Sequence, residues 1–141
     1  MPPEITEVLI ALAHVAVGGG LGSMARFWVS GVVARRHGET FPWGTLAVNV
    51  TGSAAIGVAA AVFLAAEGGI SGQGTAWAGL VVGVLGSYTT VSSFALQTLA
   101  LARSGETRRA LANVALSLLL CLGAAAGALA VTAALIGGGS P

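Results

Sequence analysis

The sequence predicts an all-α membrane protein that forms one four-helix domain, residues 1–141. Hydrophobic residues make up 55% of the chain and charged residues 8%, and the mean hydropathy is +0.90. A soluble domain of this length needs a charged surface, which so few ionisable residues do not provide. Four apolar segments are each long enough to cross a bilayer core, which takes about 20 helical residues. We expect helices over roughly residues 8–33, 43–66, 75–102 and 110–136.

The four segments are predicted to be helical because a lipid-exposed backbone must satisfy its own hydrogen bonds. Three of them carry two glycines four residues apart: Gly18 and Gly22, Gly79 and Gly83, Gly123 and Gly127. Small residues at this spacing allow two helix backbones to approach closely. The sequence therefore predicts tight packing between these helices.

The arginines predict the orientation of the chain in the membrane. Five of them lie in or beside the first and third connections: Arg35, Arg36, Arg103, Arg108 and Arg109. The N-terminal end and the second connection instead carry Glu4, Glu7 and Glu67. Because basic connections stay on the cytoplasmic side, we expect the first and third connections in the cytoplasm and both termini outside the plasma membrane.

Several function classes find little support in the sequence. The chain has no Asp, and no Glu lies deep in an apolar segment, whereas proton-coupled carriers usually keep a carboxylate near the membrane midplane. A small four-helix multidrug–proton antiporter is therefore a weak candidate, and a non-conducting scaffold subunit is a further alternative. No catalytic triad, nucleotide-binding loop or His/Cys metal cluster is present, so neither an enzyme nor a nucleic-acid partner is predicted.

Two polar residues interrupt the first and second segments. Arg26 lies about two helical turns before the first connection, where an arginine either extends to the interface or attracts anions into a vestibule. Asn49 has an amide that can donate two hydrogen bonds without carrying charge, to an ion or to another helix. Thr45 and Ser53 lie four residues to either side of Asn49. The three share one helix face, which favours a polar lining.

The third segment contains a cluster of hydroxyl side chains in the stretch GVLGSYTTVSSF, residues 83–94. Ser and Thr can bond backbone carbonyls and bend a membrane helix, so these residues predict a break near the middle of the third helix. A break would free carbonyl oxygens for a small cation and would direct the positive end of the second half-helix inward, toward an anion. A simple kink held by neighbouring helices is the alternative.

Over nearly its whole length the chain resembles the Fluc/CrcB family of fluoride channels. Four stretches carry the resemblance: GGGLGSMARFWVS (18–30), PWGTLAVNVTGSAAIG (42–57), GVLGSYTTVSSF (83–94) and NVALS (113–117). The resemblance implies an antiparallel dimer of four-helix subunits with two narrow pores. It further implies passive export of F⁻ from the cytoplasm and a structural Na⁺ at the dimer centre.

The same resemblance implies roles for individual residues. The backbone carbonyls of Gly86 and Thr89 match the family's sodium ligands. Asn49 matches the asparagine of the family's fluoride pore, and Val91 and Phe94 match its two ring positions. Thr90 and Ser93 match a polar track beside the rings, and Asn113 and Ser117 match polar positions on the fourth helix. Arg26 matches the arginine of the first span, which lies at an anion vestibule.

Val91 departs from the family pattern, in which a phenylalanine precedes Phe94 by three residues. Valine has no electropositive ring edge, so one ring site of the pore should be weakened or lost. The one-sided arginines also fix a single orientation, and an antiparallel partner then cannot be a second copy. These two features suggest the hypothesis of a heterodimer, completed by an oppositely oriented paralogue.

Overall fold

Five helices form the four membrane spans of the computed structural model, which describes residues 3–38, 40–66 and 74–138. The helices are α1 (Pro3–His37), α2 (Trp43–Ala65), α3 (residues 74–88), α4 (Val91–Arg103) and α5 (Thr107–Gly137). Helices α3 and α4 together make the third span, Gly74–Arg103. All four spans are long and apolar enough to cross a membrane, which confirms the predicted all-helical membrane class. Glu39, Glu67 and most of the second connection lie outside the described residues.

Helices α1 and α4 each end at a glycine in the left-handed conformation. Helix α1 extends beyond the predicted 8–33 to His37, because its last turn is basic and favourable at the negative end of the helix dipole. Gly38 follows with φ +77°, and its N–H donates to the Ala34 carbonyl at 2.9 Å. Gly105, at φ +83°, has the same role after α4. Such left-handed residues end helices and are usually glycine.

Helix α1 packs against α3, and α2 packs against α5. A Cβ atom added at Gly18 would overlap the Gly79 carbonyl oxygen, and one at Gly22 would overlap the Val84 carbonyl oxygen. The first two glycine pairs therefore face each other across one helix interface, as expected of closely packed membrane helices. No atom lies within 4 Å of a Cβ added at Gly123 or Gly127. The expectation of close packing at that third pair is wrong within the subunit.

The third span is broken at Thr89 and Thr90, which confirms the predicted break. Helix α3 is α-helical over Gly74–Trp77, π-helical over Ala78–Leu85 and α-helical again over Gly86–Tyr88. Thr89 (ψ 160°) and Thr90 (φ −152°, ψ 120°) are then extended. The Thr90 side chain accepts a hydrogen bond from the Ser93 N–H at 3.2 Å and so caps α4. A capping threonine, and not Gly83 or Gly86, fixes where the second half-helix begins.

Candidate functional site

The side chain of Asn49 on α2 holds the break in the third span. Its Nδ2 donates to the Thr90 carbonyl oxygen at 2.9 Å, and its Oδ1 accepts from the Thr90 N–H at 2.8 Å. This pair of bonds satisfies both backbone groups of a residue that lies outside the helices on either side. The amide also retains a second N–H. Asn49 therefore joins two helices and still has a donor to offer, so the two interpretations of its sequence position are compatible.

The break also redirects the two N–H groups that would close a continuous helix. In an unbroken helix the Gly86 carbonyl would accept from the Thr90 N–H, and the Thr89 carbonyl from the Ser93 N–H. Instead the Thr90 N–H donates to Asn49, and the Ser93 N–H donates to the Thr90 hydroxyl. The carbonyls of Gly86 and Thr89, the two positions matched to sodium ligands, have therefore lost their helical donors. Hard cations such as Na⁺ favour carbonyl oxygens of this kind.

Side-chain ligands do not offer an alternative cation site in the described ranges. Among those residues, no group of three or more His, Cys, Asp or Glu is close enough to hold a metal ion. A cation at the break would depend on backbone oxygens. Unlike the Gly86 carbonyl, the neighbouring Leu85 carbonyl keeps hydrogen-bond donors, because it accepts from both the Thr89 N–H at 3.1 Å and the Thr89 hydroxyl at 3.0 Å.

A mainly apolar cavity of about 400 Å³ lies between α2, α4 and α5, and we call it the Phe94 cavity. Its wall includes the Phe94 ring, the Asn49 amide, Thr90 and the Ser117 hydroxyl. Val91, at the position matched to the first ring, also lines this cavity and is 78% exposed. The cavity thus brings one ring and a few hydrogen-bonding groups together on an otherwise apolar wall.

A second cavity, of about 480 Å³, lies between α1, α2 and α4, and we call it the Arg26 cavity. Its wall is rich in hydroxyl side chains: Ser23, Ser30, Thr45, Thr90, Ser92 and Ser93. Arg26 lines the cavity and forms no ion pair with any of the residues that the structure describes. The cavity therefore combines an uncompensated positive charge with several neutral donors.

The two cavities follow each other along α2 and share Thr90 in their walls. Thr45, near the start of α2, lines the Arg26 cavity, whereas Asn49 and Ser53, further along, line the Phe94 cavity. The polar stripe predicted on α2 is therefore divided between two sites. Because α2 begins at the first connection, the Arg26 cavity lies nearer to that end of the bundle.

Two of the matched pore residues lie away from the Phe94 cavity. Ser93 lines the Arg26 cavity, and its backbone N–H donates to the Thr90 hydroxyl that caps α4. Asn113 is 2% exposed, is absent from the walls of both cavities, and donates through Nδ2 to the Thr98 hydroxyl at 2.8 Å. Thr98 was not identified from the sequence. The available signal was its position four residues after Phe94, from which a threonine hydroxyl can reach the carbonyl of the preceding turn.

Tyr88 is a second residue whose contact was not predicted from the sequence. Its hydroxyl lies 2.9 Å from the Thr51 hydroxyl on α2. A Cβ atom added at Gly52, the next residue, would overlap the Thr89 methyl group. The end of α3 therefore packs directly against α2 at Gly52.

Comparison with known proteins gives a consistent family. The family model described as CrcB-like protein, Camphor Resistance (CrcB), matches residues 13–129. The chain is 59% identical over 116 residues to "Fluoride-specific ion channel FluC 2" of Rhodopseudomonas palustris, which covers 82% of this chain and 88% of that relative. It is 52% identical over 117 residues to "Fluoride-specific ion channel FluC 2" of Bradyrhizobium diazoefficiens, covering 83% and 85%. The corresponding protein of Opitutus terrae, "Fluoride-specific ion channel FluC", is 53% identical over 109 residues, covering 77% and 82%.

Proposed function

The chain belongs to the CrcB family, and we propose that it is a subunit of a fluoride-specific ion channel through which F⁻ leaves the cytoplasm passively. The observation that carries this proposal is the series of two cavities that share Thr90. One contains an arginine among hydroxyl groups, and the next contains an aromatic ring beside an amide. An anion that crosses the membrane needs both attraction and replacement of its water, and the two cavities offer these in sequence.

The Arg26 cavity is the proposed entry from the cytoplasm. The positive charge of Arg26, which has no acidic partner among the residues that the structure describes, would raise the local concentration of anions, most strongly where low-dielectric walls surround it. Hydroxyl donors such as Ser30 and Thr45 can replace part of the hydration shell as the anion moves inward. Charge of this kind does not distinguish fluoride from chloride, so selection must take place further along.

The Phe94 cavity is the proposed site of selection. The edge of an aromatic ring carries partial positive charge because of its quadrupole, and the second N–H of Asn49 is a donor at the same wall. These groups would contact a small dehydrated anion and replace part of its water, and they would fit a larger anion less closely. The hydroxyl groups of Ser53, Thr90 and Ser117 are further polar groups in the wall of this cavity.

We propose that the pore-forming unit is an antiparallel dimer with a structural Na⁺ at its centre. The carbonyls of Gly86 and Thr89 would hold the ion, since the break has removed their helical donors. The ion would supply a fixed positive charge between two subunits whose carbonyl oxygens would otherwise repel each other.

The partner in this dimer is proposed to be an oppositely oriented paralogue. The arginine bias indicates that the first and third connections lie in the cytoplasm, so a second copy of the chain would insert parallel to the first. Val91 supports the same proposal, because its exposed position in the Phe94 cavity has no ring edge to offer. The paralogue would supply the missing ring.

Fluoride efflux from liposomes tests these proposals. The chain alone should release little fluoride, and co-reconstitution with an oppositely oriented family member from the same genome should give rapid release of F⁻ but not Cl⁻. Rapid efflux from the chain alone through two equal pores would refute the heterodimer. Absence of fluoride efflux from every combination would refute the channel function itself.

Val91→Phe distinguishes a weakened pore from a non-conducting scaffold. If the chain contributes a damaged pore, restoring the ring should increase fluoride efflux of the heterodimer. If the chain only supports its partner, efflux should stay unchanged. The antiporter alternative has no observation in its favour, because the described acidic residues, Glu4, Glu7 and Glu106, lie at helix ends.

A further inference from the structure

Helix α4 carries the Phe94 ring, yet none of its residues is fully buried. Its position therefore depends on a small number of specific contacts. Its N-terminal end is held through Thr90 by Asn49 of α2. One turn beyond Phe94, it is joined to α5 by the hydrogen bond from Asn113 to Thr98.

The hydrogen bonds at this second attachment have a fixed direction. The Thr98 hydroxyl lies 2.7 Å from the Phe94 carbonyl oxygen and must be the donor, because a carbonyl only accepts. The oxygen of that hydroxyl then accepts from the Asn113 amide at 2.8 Å. The result is a directed relay from Asn113 through Thr98 to the backbone of Phe94. Each member polarises the next, so removal of one weakens both bonds.

The relay is in register with the cavity wall. Ser117 lies four residues after Asn113 on α5 and therefore on the same helix face. Ser117 lines the Phe94 cavity, whereas Asn113 is buried beside it with 2% of its surface exposed. On α5, the turn that carries Asn113 is bonded through Thr98 to the Phe94 backbone. The next turn carries Ser117, which lines the same cavity as the Phe94 ring.

We propose that Asn113 and Thr98 are positioning residues that hold the Phe94 ring in the wall of the cavity that Ser117 also lines, and that Asn113 does not contact the permeant ion. This inference rests on the proposed fluoride channel for its effect on transport, but the relay itself concerns only the placement of Phe94. It assigns Asn113 a different role from the pore-lining one implied by the family resemblance. It also adds Thr98 to the residues that determine selectivity.

Thr98→Val and Thr98→Ser form a matched pair, because valine keeps the shape and loses the hydroxyl, whereas serine keeps the hydroxyl. In the conducting assembly of the full chain, Thr98→Val should lower fluoride efflux and the fluoride-over-chloride ratio by about three- to twentyfold, the range that interhelical hydrogen bonds in membranes cover. Thr98→Ser should stay close to wild type. Equal efflux and selectivity of Thr98→Val and wild type would overturn the proposal.

Asn113→Leu tests whether Asn113 acts through Thr98. If it does, this substitution should lower efflux in the wild-type background and add nothing in the Thr98→Val background. An equal fold-loss in both backgrounds would show an independent contact with the ion and overturn the proposal. Should Asn113→Leu fail to insert, the Thr98 pair decides on its own.

A measurement of Phe94 itself separates this inference from the channel proposal. With para-fluorophenylalanine introduced at Phe94, the fluorine NMR resonance should shift or broaden in Thr98→Val and stay in place in Thr98→Ser. This readout needs no fluoride transport, so it remains decisive for a chain that does not conduct. An unchanged resonance in Thr98→Val would overturn the positioning role whatever the transport assays show.

Discussion

The Arg26 cavity and the Phe94 cavity share one residue, Thr90, yet they differ in chemistry. The Arg26 cavity is the more polar of the two, with a guanidinium group and a set of hydroxyls in its wall. The Phe94 cavity is mainly apolar and has only a few donors beside its ring. A charge acts over a distance set by screening and attracts any anion, whereas a ring edge and an amide act only at contact and depend on the size of the ion.

This difference is the basis of the proposal that the two cavities have separate functions along one ion pathway. The cavity nearer the first connection would raise the concentration of anions, and the next would discriminate among them. Asn49 lies where the two meet, because its amide fixes the Thr90 backbone that both cavities share. Substitutions in the three regions should therefore have different effects on stability, selectivity and salt dependence.

Asn49→Leu should have the largest effect, because it removes the residue that separates and supports both cavities. The Thr90 N–H and carbonyl would lose their partners, at a cost of about 1–3 kcal/mol for each unsatisfied buried group. Fluoride efflux should fall at least about tenfold, since each 1.4 kcal/mol corresponds to a factor of ten. Thermal unfolding in detergent and liposome efflux measure the two effects.

The matched control for Asn49→Leu is Ser53→Ala, one turn further along α2. It removes a hydroxyl from the Phe94 cavity and leaves the Asn49–Thr90 bonds in place. Its unfolding temperature should stay close to wild type. If Asn49→Leu were as stable as Ser53→Ala, the amide would not be the support of the break.

Phe94→Leu should have the next largest effect, and it should act on selectivity. Leucine fills similar space without an electropositive edge, so the fluoride flux should fall about three- to tenfold, from the 0.5–1.5 kcal/mol of an aromatic edge contact. The fluoride-over-chloride ratio should fall with it. Ion-selective electrodes for the two anions, used on the same liposomes, give the ratio directly.

Phe27→Leu is the corresponding change in the other cavity. Phe27 lines the Arg26 cavity and is 84% exposed. Its substitution should leave the selectivity ratio unchanged. Equal losses of selectivity in the two variants would mean that discrimination is not confined to the Phe94 cavity.

Arg26→Gln should have the smallest effect, and that effect should depend on salt. Loss of the charge should lower fluoride efflux roughly two- to fivefold at low ionic strength. The deficit should disappear toward 1 M salt, where the screening length falls to about 3 Å. Arg109→Gln is the control, because Arg109 lies in an exposed ion pair with Glu106. A salt-independent deficit in Arg26→Gln would argue against an electrostatic vestibule.

The class of protein and the number of spans could be predicted from the sequence on physical grounds. Long apolar segments have one stable form in lipid, since only helices satisfy their own backbone. The break in the third span was also predictable, because Thr and Ser next to glycines compete for backbone hydrogen bonds. The position of the break was not predictable, because it depends on Asn49 of α2, whose side chain bonds the backbone of Thr90, the residue that caps α4.

The sequence and the family resemblance predicted individual site residues, but not how the structure groups them. Asn49, Thr90 and Phe94 line one cavity, whereas Asn113 is buried and bonded to α4. The Gly123 and Gly127 pair shows the same limit, because its spacing equals that of Gly18 and Gly22 although it faces open space. Spacing along one helix specifies a face, but not what that face contacts.

The four helical spans, the arginine-rich connections and the hydroxyl-rich interruption of the third span can all be derived from the sequence. They follow from local properties: hydropathy, charge and the hydrogen-bonding capacity of consecutive side chains. Contacts between helices, in contrast, establish that one amide replaces the helical bonds of Thr90, that two cavities share this residue, and that Thr98 connects Asn113 to Phe94. Each of these depends on atoms from different helices meeting within hydrogen-bond distance, which the order of residues along a single helix does not encode.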